Sequence, residues 1–261
     1  MCGALRLGSG QTGPVLSVAA INVAPVKALG LSRPDRIRLE RDGVPEDRRL
    51  FLLQADGSVA TLRTHPRLTS VLPQLDLGAE KLSLAFPDGS VTGSVLQADE
   101  PVTAELFGKR RTGRVVAGGL AEALSDFAGE ALRLVLADRT GVGWDEGPAS
   151  LLARASAERV GTPETGDRSA RRYRMLFELT GAEPFEEDSW IGRRLCVGEA
   201  LLGVTHALGR CLVINNDPDD GAKNWPGLRT LAEHRPDVTL GVIADVLAPG
   251  DVRVGDAVTL V

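Results

Sequence analysis

The sequence is poor in cysteine and histidine, carries no excess of positive charge and has no long apolar run. Each shortage removes a class of function. Its three cysteines, Cys2, Cys196 and Cys211, are odd in number and far apart, and no Cys-x-x-Cys pair occurs. That spacing argues against a disulfide framework and for a reducing compartment. Three histidines, His65, His206 and His234, are too few for a structural zinc site. The net charge of −5 supplies no global field that would draw the chain to nucleic acid. The local clusters Arg171, Arg172, Arg174 and Arg193, Arg194 read as solvated strand edges or loops. No stretch approaches the roughly 18 apolar residues that mark a membrane span. Residues 1–14, with Gly8, Gly10, Gly13 and Pro14, read as a flexible leader rather than a signal peptide. The expectation is a cytoplasmic protein with no nucleic-acid or membrane partner.

What is present is an ordinary globular composition. The chain has 261 residues, 43% hydrophobic and 25% charged, enough to bury a substantial core. Short apolar stretches alternate with turn signals. Residues 35–40 (DRIRLE) alternate polar and apolar, the period of a half-buried strand. Further strands are expected at 15–23, 48–54 and 58–62, the last two joined through Ala55-Asp56-Gly57, and at 81–86 and 90–96 around Pro87-Asp88-Gly89. In the second half, strands are expected at 172–179, 194–197, 200–205, 211–215, 240–246 and 257–261. Helical signals are fewer: Leu120, Leu124 and Phe127 at helical spacing in 119–128, a helix over 151–160 capped by Ser150, and another over 226–234. This spacing predicts a mainly β, barrel-like fold with a few short helices, in two packed β-rich parts. The stretch QADEPVT, 97–103, suggests the boundary, giving parts at 15–100 and 101–261. Residues 161–169 are polar and aperiodic, and read as a mobile surface loop.

Cys211 is the sharpest chemical candidate. It follows Gly209-Arg210 and precedes an apolar run and the acidic turn Asp217-Pro218-Asp219-Asp220-Gly221. A thiol beside an arginine is expected to favour the thiolate, which is both nucleophile and metal ligand. A buried structural cysteine is the alternative on these residues alone. Cys196, among apolar neighbours, reads as core. Asp217 could position a substrate proton or water, or form the turn before Pro218.

GRCLVINNDPDDG resembles the arginine-cysteine segment and following Asp-Pro…Gly of MOSC domains, the C-terminal module of molybdenum-cofactor sulfurases. Other elements fall in the same order. Pro25-Val26-Lys27, Asp47-Arg48 and the Thr61…Arg63…Pro66…Leu68 turn are similar to the N-terminal β-barrel that accompanies many MOSC domains. Arg172-Tyr173-Arg174, the acidic turn ending in Trp190-Ile191-Gly192, and Val252-Arg253-Val254-Gly255-Asp256 are similar to the MOSC half. The resemblance covers 15–261 and includes the amidoxime-reducing enzymes. It implies a molybdopterin-type molybdenum cofactor between the two parts, with Cys211 on the metal. Lys27, Arg48, Arg63 and Arg174, with Arg210 beside the cysteine, would then be its basic contacts, in keeping with the preference of arginine for phosphate and of thiolate for a soft metal.

Some residues depart from the family pattern. Ala153 and Arg154 stand where a Ser/Thr pair is usual, Met175-Leu176 where Pro-Asn is usual, and Ala28 follows Lys27 in place of a hydroxyl residue. Three functions are therefore in view. The first is a molybdenum-cofactor oxidoreductase acting on N-hydroxylated or related small molecules, with a possible electron-donor protein. The second is a cofactor-free biosynthetic enzyme using the interdomain cleft as a small-molecule pocket. The third is a carrier of sulfur or cofactor.

Overall fold

A computed structural model describes residues 15–96, 98–144 and 146–261. The leader expected at 1–14, with Cys2, lies outside the described residues, as does Gln97 of the expected boundary. The described chain forms sixteen strands and three α-helices, mainly β as expected. The strands are β1 Ser17–Ile21, β2 Arg36–Leu39, β3 Leu50–Gln54, β4 Leu72–Asp76, β5 Lys81–Phe86, β6 Gly89–Ser94, β7 Ala98–Leu106, β8 Lys109–Val116, β9 Leu132–Ala137, β10 Ala149–Ala153, β11 Phe177–Thr180, β12 Arg194–Val197, β13 Ala200–Gly209, β14 Thr239–Ala248, β15 Gly250–Arg253 and β16 Val258–Leu260. The helices are α1 Gly119–Ala128, α2 Arg154–Val160 and α3 Gly227–His234.

Seven strands make one curled sheet in the order β1-β11-β10-β14-β13-β12-β16. A bridge between Ser17 and Ala257 brings β1 to the start of β16, so the sheet almost closes on itself. Its interior is a continuous apolar core that includes Ile21, Phe177, Trp190, Leu202 and Val242. The other half carries the sheets β3-β9-β8-β7 and β4-β5-β6, with α1 laid against β6 and β9. Helix α1 buries Leu120 and Leu124 and stops at Gly129, which takes the left-handed conformation (φ 74°).

Several local expectations change. Residues 98–103 are part of β7, which pairs with β8. The N-terminal strands also cross over: β1 pairs with β11 and β2 with β15. Residues 58–62 form a bridge and a turn, not a strand. The helix expected from 151 begins at Arg154, because 149–153 form the buried central strand β10. A strand covered on both faces is apolar throughout and shows no period of two. Ser150 is accordingly no cap; its Oγ accepts the Leu176 N–H at 2.9 Å. Residues 171–173 are a 3-10 turn, and the strand starts only at Phe177. No helix among the described residues is long and apolar enough to cross a membrane.

The largest departure is Arg172, expected in a solvated cluster and found 2% exposed. Its Nε donates to Glu164 Oε2 at 3.0 Å and its Nη2 to Glu164 Oε1 and to Asn224 Oδ1 at 3.0 Å. Its Nη1 donates to the carbonyls of Ile214 (3.2 Å) and Asn216. Those five bonds match the five N–H donors of a guanidinium. Glu164 belongs to the segment read as a mobile loop, so 161–169 is tied down at its centre. We expect Arg172→Met to destabilise the fold by about 3–5 kcal/mol, since it strands a buried carboxylate. Adding Glu164→Gln should recover part of the loss in urea denaturation. A single-variant loss below about 1 kcal/mol would contradict the assignment.

Candidate functional site

The two halves meet at a cleft of about 410 Å³, within the range of small-molecule and cofactor sites. The backbone brings its walls together. The Lys27 N–H donates to the Leu50 carbonyl at 2.8 Å and the Arg48 N–H to the Ala24 carbonyl at 2.7 Å, so the segments carrying Lys27 and Arg48 lie side by side. The opposite wall is the turn after 171–173, which holds Arg174, and the segment leaving β13 at Arg210 and Cys211. Lys27, Arg48, Arg63, Arg174, Arg210 and Cys211, distant in sequence, all line this one cleft. Asp217 does not. It lines a small neighbouring cavity, and its carboxylate accepts the Asp219 N–H and the Asn224 amide, both at 2.8 Å. That is the work of a turn former, and both oxygens are engaged. His206 and Arg154 are also outside the cleft lining; Arg154 is committed to the buried Glu178 at 2.9 Å.

Cys211 is a partly exposed free thiol. Strand β13 ends at Gly209, and Cys211 then leads a single 3-10 turn, Leu212–Asn215, instead of the expected strand. The turn buries only Ile214 and leaves Leu212 exposed. Arg172 holds two of the turn's carbonyls, and the Asn216 amide donates to the Leu62 carbonyl at 3.2 Å, tying the turn to the N-terminal half. Cys196, read as core, is half-buried on β12 and outside the cleft.

Charge distinguishes the cleft from the rest of the protein. Among its described lining residues seven are Lys or Arg and two, Asp47 and Glu146, are acidic, whereas the whole chain carries −5. Asp47 pairs with Arg48 and caps the Ala24 N–H at 2.8 Å. Arg174 reaches the Leu29 carbonyl at 2.7 Å. Arg210 donates to the carbonyls of Leu240 (2.9 Å) and Tyr173 (3.0 Å), contacts the Met175 sulfur at 2.8 Å, and lies over the Tyr173 ring. None of those partners is acidic. Burial pushes Arg210 down to about 10, so it remains a cation at neutral pH beside Cys211. Arg63 differs from the other four. It is exposed at the mouth, with its guanidinium 5.1 Å from the centre of the Phe107 ring.

Four residues without glycine's freedom adopt left-handed backbone here: Ala28 (φ 72°), Arg48 (φ 50°), Phe107 (φ 51°) and Arg174 (φ 55°). Such conformations cost of order 1–3 kcal/mol each and concentrate at functional sites. Gly143 permits the close approach, since a Cβ there would sit 2.1 Å from the Arg48 carbonyl oxygen.

Sequence reading gave no site role to Arg172, Phe107, Trp144, Met175 or Glu187. The first four line the cleft. Glu187 lies behind it, fully buried in the 3-10 turn Glu186–Trp190, and contributes to the field at Arg210. Its Oε2 accepts the Ser156 hydroxyl at 2.7 Å, and its Oε1 has no hydrogen-bond partner among the described residues. No local pattern separates a buried glutamate in an acidic turn from a solvated one.

A family model for the MOSC domain matches residues 143–259, and a second, for the MOSC N-terminal beta barrel domain, matches residues 15–131. Mitochondrial amidoxime reducing component 2 of Macaca fascicularis and that of Homo sapiens are each 25% identical to the chain over 287 aligned positions, covering 95% of it and 83% of the relative. Among solved structures, the YUAD protein from Bacillus subtilis aligns with a TM-score of 0.47 at 12% identity, over 94% of this chain and 95% of that one. YiiM from Geobacillus stearothermophilus aligns at 0.34 and 17% identity, over 64% and 74%.

Glu187 gives the site region a pH signature. Burial raises its carboxyl from 4.5 to about 7. Between those values the unfolded chain ionises while the folded one holds its proton, so stability should fall as pH rises through this window. The loss should total about 3 kcal/mol and level off above pH 7. Glu187→Gln should flatten the dependence in denaturation measured from pH 5 to 8. An unchanged slope in the variant would contradict this.

Proposed function

Because the chain belongs to the MOSC-domain family, we propose that it is a molybdenum-cofactor oxidoreductase acting on N-hydroxylated or related small molecules, with the interdomain cleft as its site. The observation that carries the reading is the coincidence in one cleft of a free thiol and a surplus of positive charge, in a protein that is acidic overall. The donor set fits the group: Cys211 offers a soft sulfur for a metal such as molybdenum, and the guanidinium groups of Arg48 and Arg174 offer donors suited to phosphate. The relatives named for reducing amidoximes support the choice of substrate class.

On this reading Cys211 holds the metal, while Lys27, Arg48 and Arg174 hold the anionic end of the cofactor. The cofactor, when bound, supplies two-electron redox chemistry. The protein's own contribution is electrostatic and positional. Arg210 places a fixed cation beside Cys211. The carbonyls that hold Arg210 keep that charge from swinging away. Strained backbone at Arg48 and Arg174 aims two cations inward before any ligand arrives, so less ordering is needed on binding. A small-molecule substrate and an electron-donor protein are the implied partners.

A second reading, a cofactor-free enzyme in the same cleft, draws on one feature. Ala28 and Leu176 line the wall where a hydroxyl and an amide side chain are usual in the family, and they offer no side-chain N–H or O–H donor to a pterin. The carrier of sulfur or cofactor has no specific support.

Cys211→Ser separates the readings. The substitution nearly keeps the volume of a partly exposed side chain, so Tm should move little. Protein from a molybdenum-competent host should lose metal, visible absorption and reductase activity together. Activity in wild-type protein without metal, with thiol alkylation that substrate blocks, would instead establish the cofactor-free enzyme. Full activity in the serine variant would reduce Cys211 to packing.

A further inference from the structure

The tip of the hairpin joining β7 to β8 breaks a local rule with no gain in folding. Leu106 pairs with Lys109, leaving Phe107-Gly108 as a two-residue loop with φ of 51° and 72°. Those angles belong to the type I′ turn, where Asn-Gly is favoured because the first position must be left-handed. Phenylalanine there is strained, and burial does not offset the strain, since Phe107 is 55% exposed. The contrast is Phe185, also left-handed (φ 65°), whose ring packs against a buried core cluster. Phe107 instead projects at the cleft mouth. Arg63, from a separate turn, brings its guanidinium to 5.1 Å from the ring centre and makes no ion pair among the described residues. A flat ring with open area beside an uncommitted cation is a stacking platform with an anion-binding edge.

We propose that Phe107 and Arg63 form the substrate-binding lip of the cleft, and that the ligand they take is a planar aromatic acid. This rests on the reading above, in which the inner cleft holds the cofactor and the mouth is left to the substrate. The ring stacks on Phe107, and the acidic group meets the free N–H edge of Arg63.

The test is calorimetric titration of the protein as purified, its molybdenum content recorded, with 2-naphthoate and with cyclohexanecarboxylate, which carries the same charge without a π face. Wild type should prefer 2-naphthoate by about tenfold. Phe107→Asn should fold as well or better, because Asn-Gly suits the turn, and should lose that preference with its molybdenum content unchanged. Arg63→Gln should weaken both acids. Equal affinity in wild type, absence of binding, or a preference that survives Phe107→Asn would overturn the proposal. So would joint loss of naphthoate binding and molybdenum in that variant, which would assign the platform to the cofactor's own ring. A naphthoate preference that Phe107→Asn abolishes, in wild-type protein without molybdenum, would keep the lip and sink the cofactor reading.

Discussion

The guanidinium of Arg172 donates five hydrogen bonds inside the protein, and much of the candidate site hangs from them. Two go to Glu164 and anchor the polar 161–169 segment. Two go to the carbonyls of Ile214 and Asn216 and fix the turn that Cys211 leads. The fifth goes to Asn224, which also holds Asp217. A charge can be buried this completely only if every donor is used, because desolvating an unmatched guanidinium costs several kcal/mol. The bond set therefore acts as a unit. It explains how an exposed apolar residue, Leu212, and a short 3-10 turn can sit in a fixed position with only Ile214 in the core.

From that fixed turn the electrostatics of the cleft follow. Arg210 is held by carbonyls and a thioether, so its charge is left over rather than cancelled. Arg48 has Asp47 as partner, yet the cleft as a whole keeps a surplus of cations. Like charges gathered at a low-dielectric seam repel. Left-handed backbone at Ala28, Arg48 and Arg174 adds a second cost in the same place. An anionic group with affinity for sulfur is the kind that would meet both the charge and the chemistry.

The sequence carried the β character, the hairpin at 81–94, helix α1 and the convergence of Lys27, Arg48, Arg63, Arg174 and Cys211 on one cleft, the last through family resemblance rather than periodicity. What was not legible depends on contacts between distant residues. The buried strand β10 has no alternation because both its faces are covered, so it read as helix. The LVIN run after Cys211 read as strand because it is apolar, but it forms a 3-10 turn whose Ile214 carbonyl is held by Arg172. Arg172 read as solvated because its partners stand 8, 42, 44 and 52 residues away. Asp217 was legible in its plainer sense, as a turn former before Pro218. Phe107 lay on a hairpin with no pattern strong enough to expose it.

The central claim is that this cleft holds a molybdenum cofactor through Cys211 and its cations. The most direct measurement is the stoichiometry of molybdenum and released pterin per chain, on protein purified without chelators from a host that makes the cofactor. The account expects both to approach one per chain, and both to fall together when Arg48 and Arg174 are replaced by Ala. Molybdenum and pterin far below stoichiometry, in protein that still turns over a substrate, would contradict it.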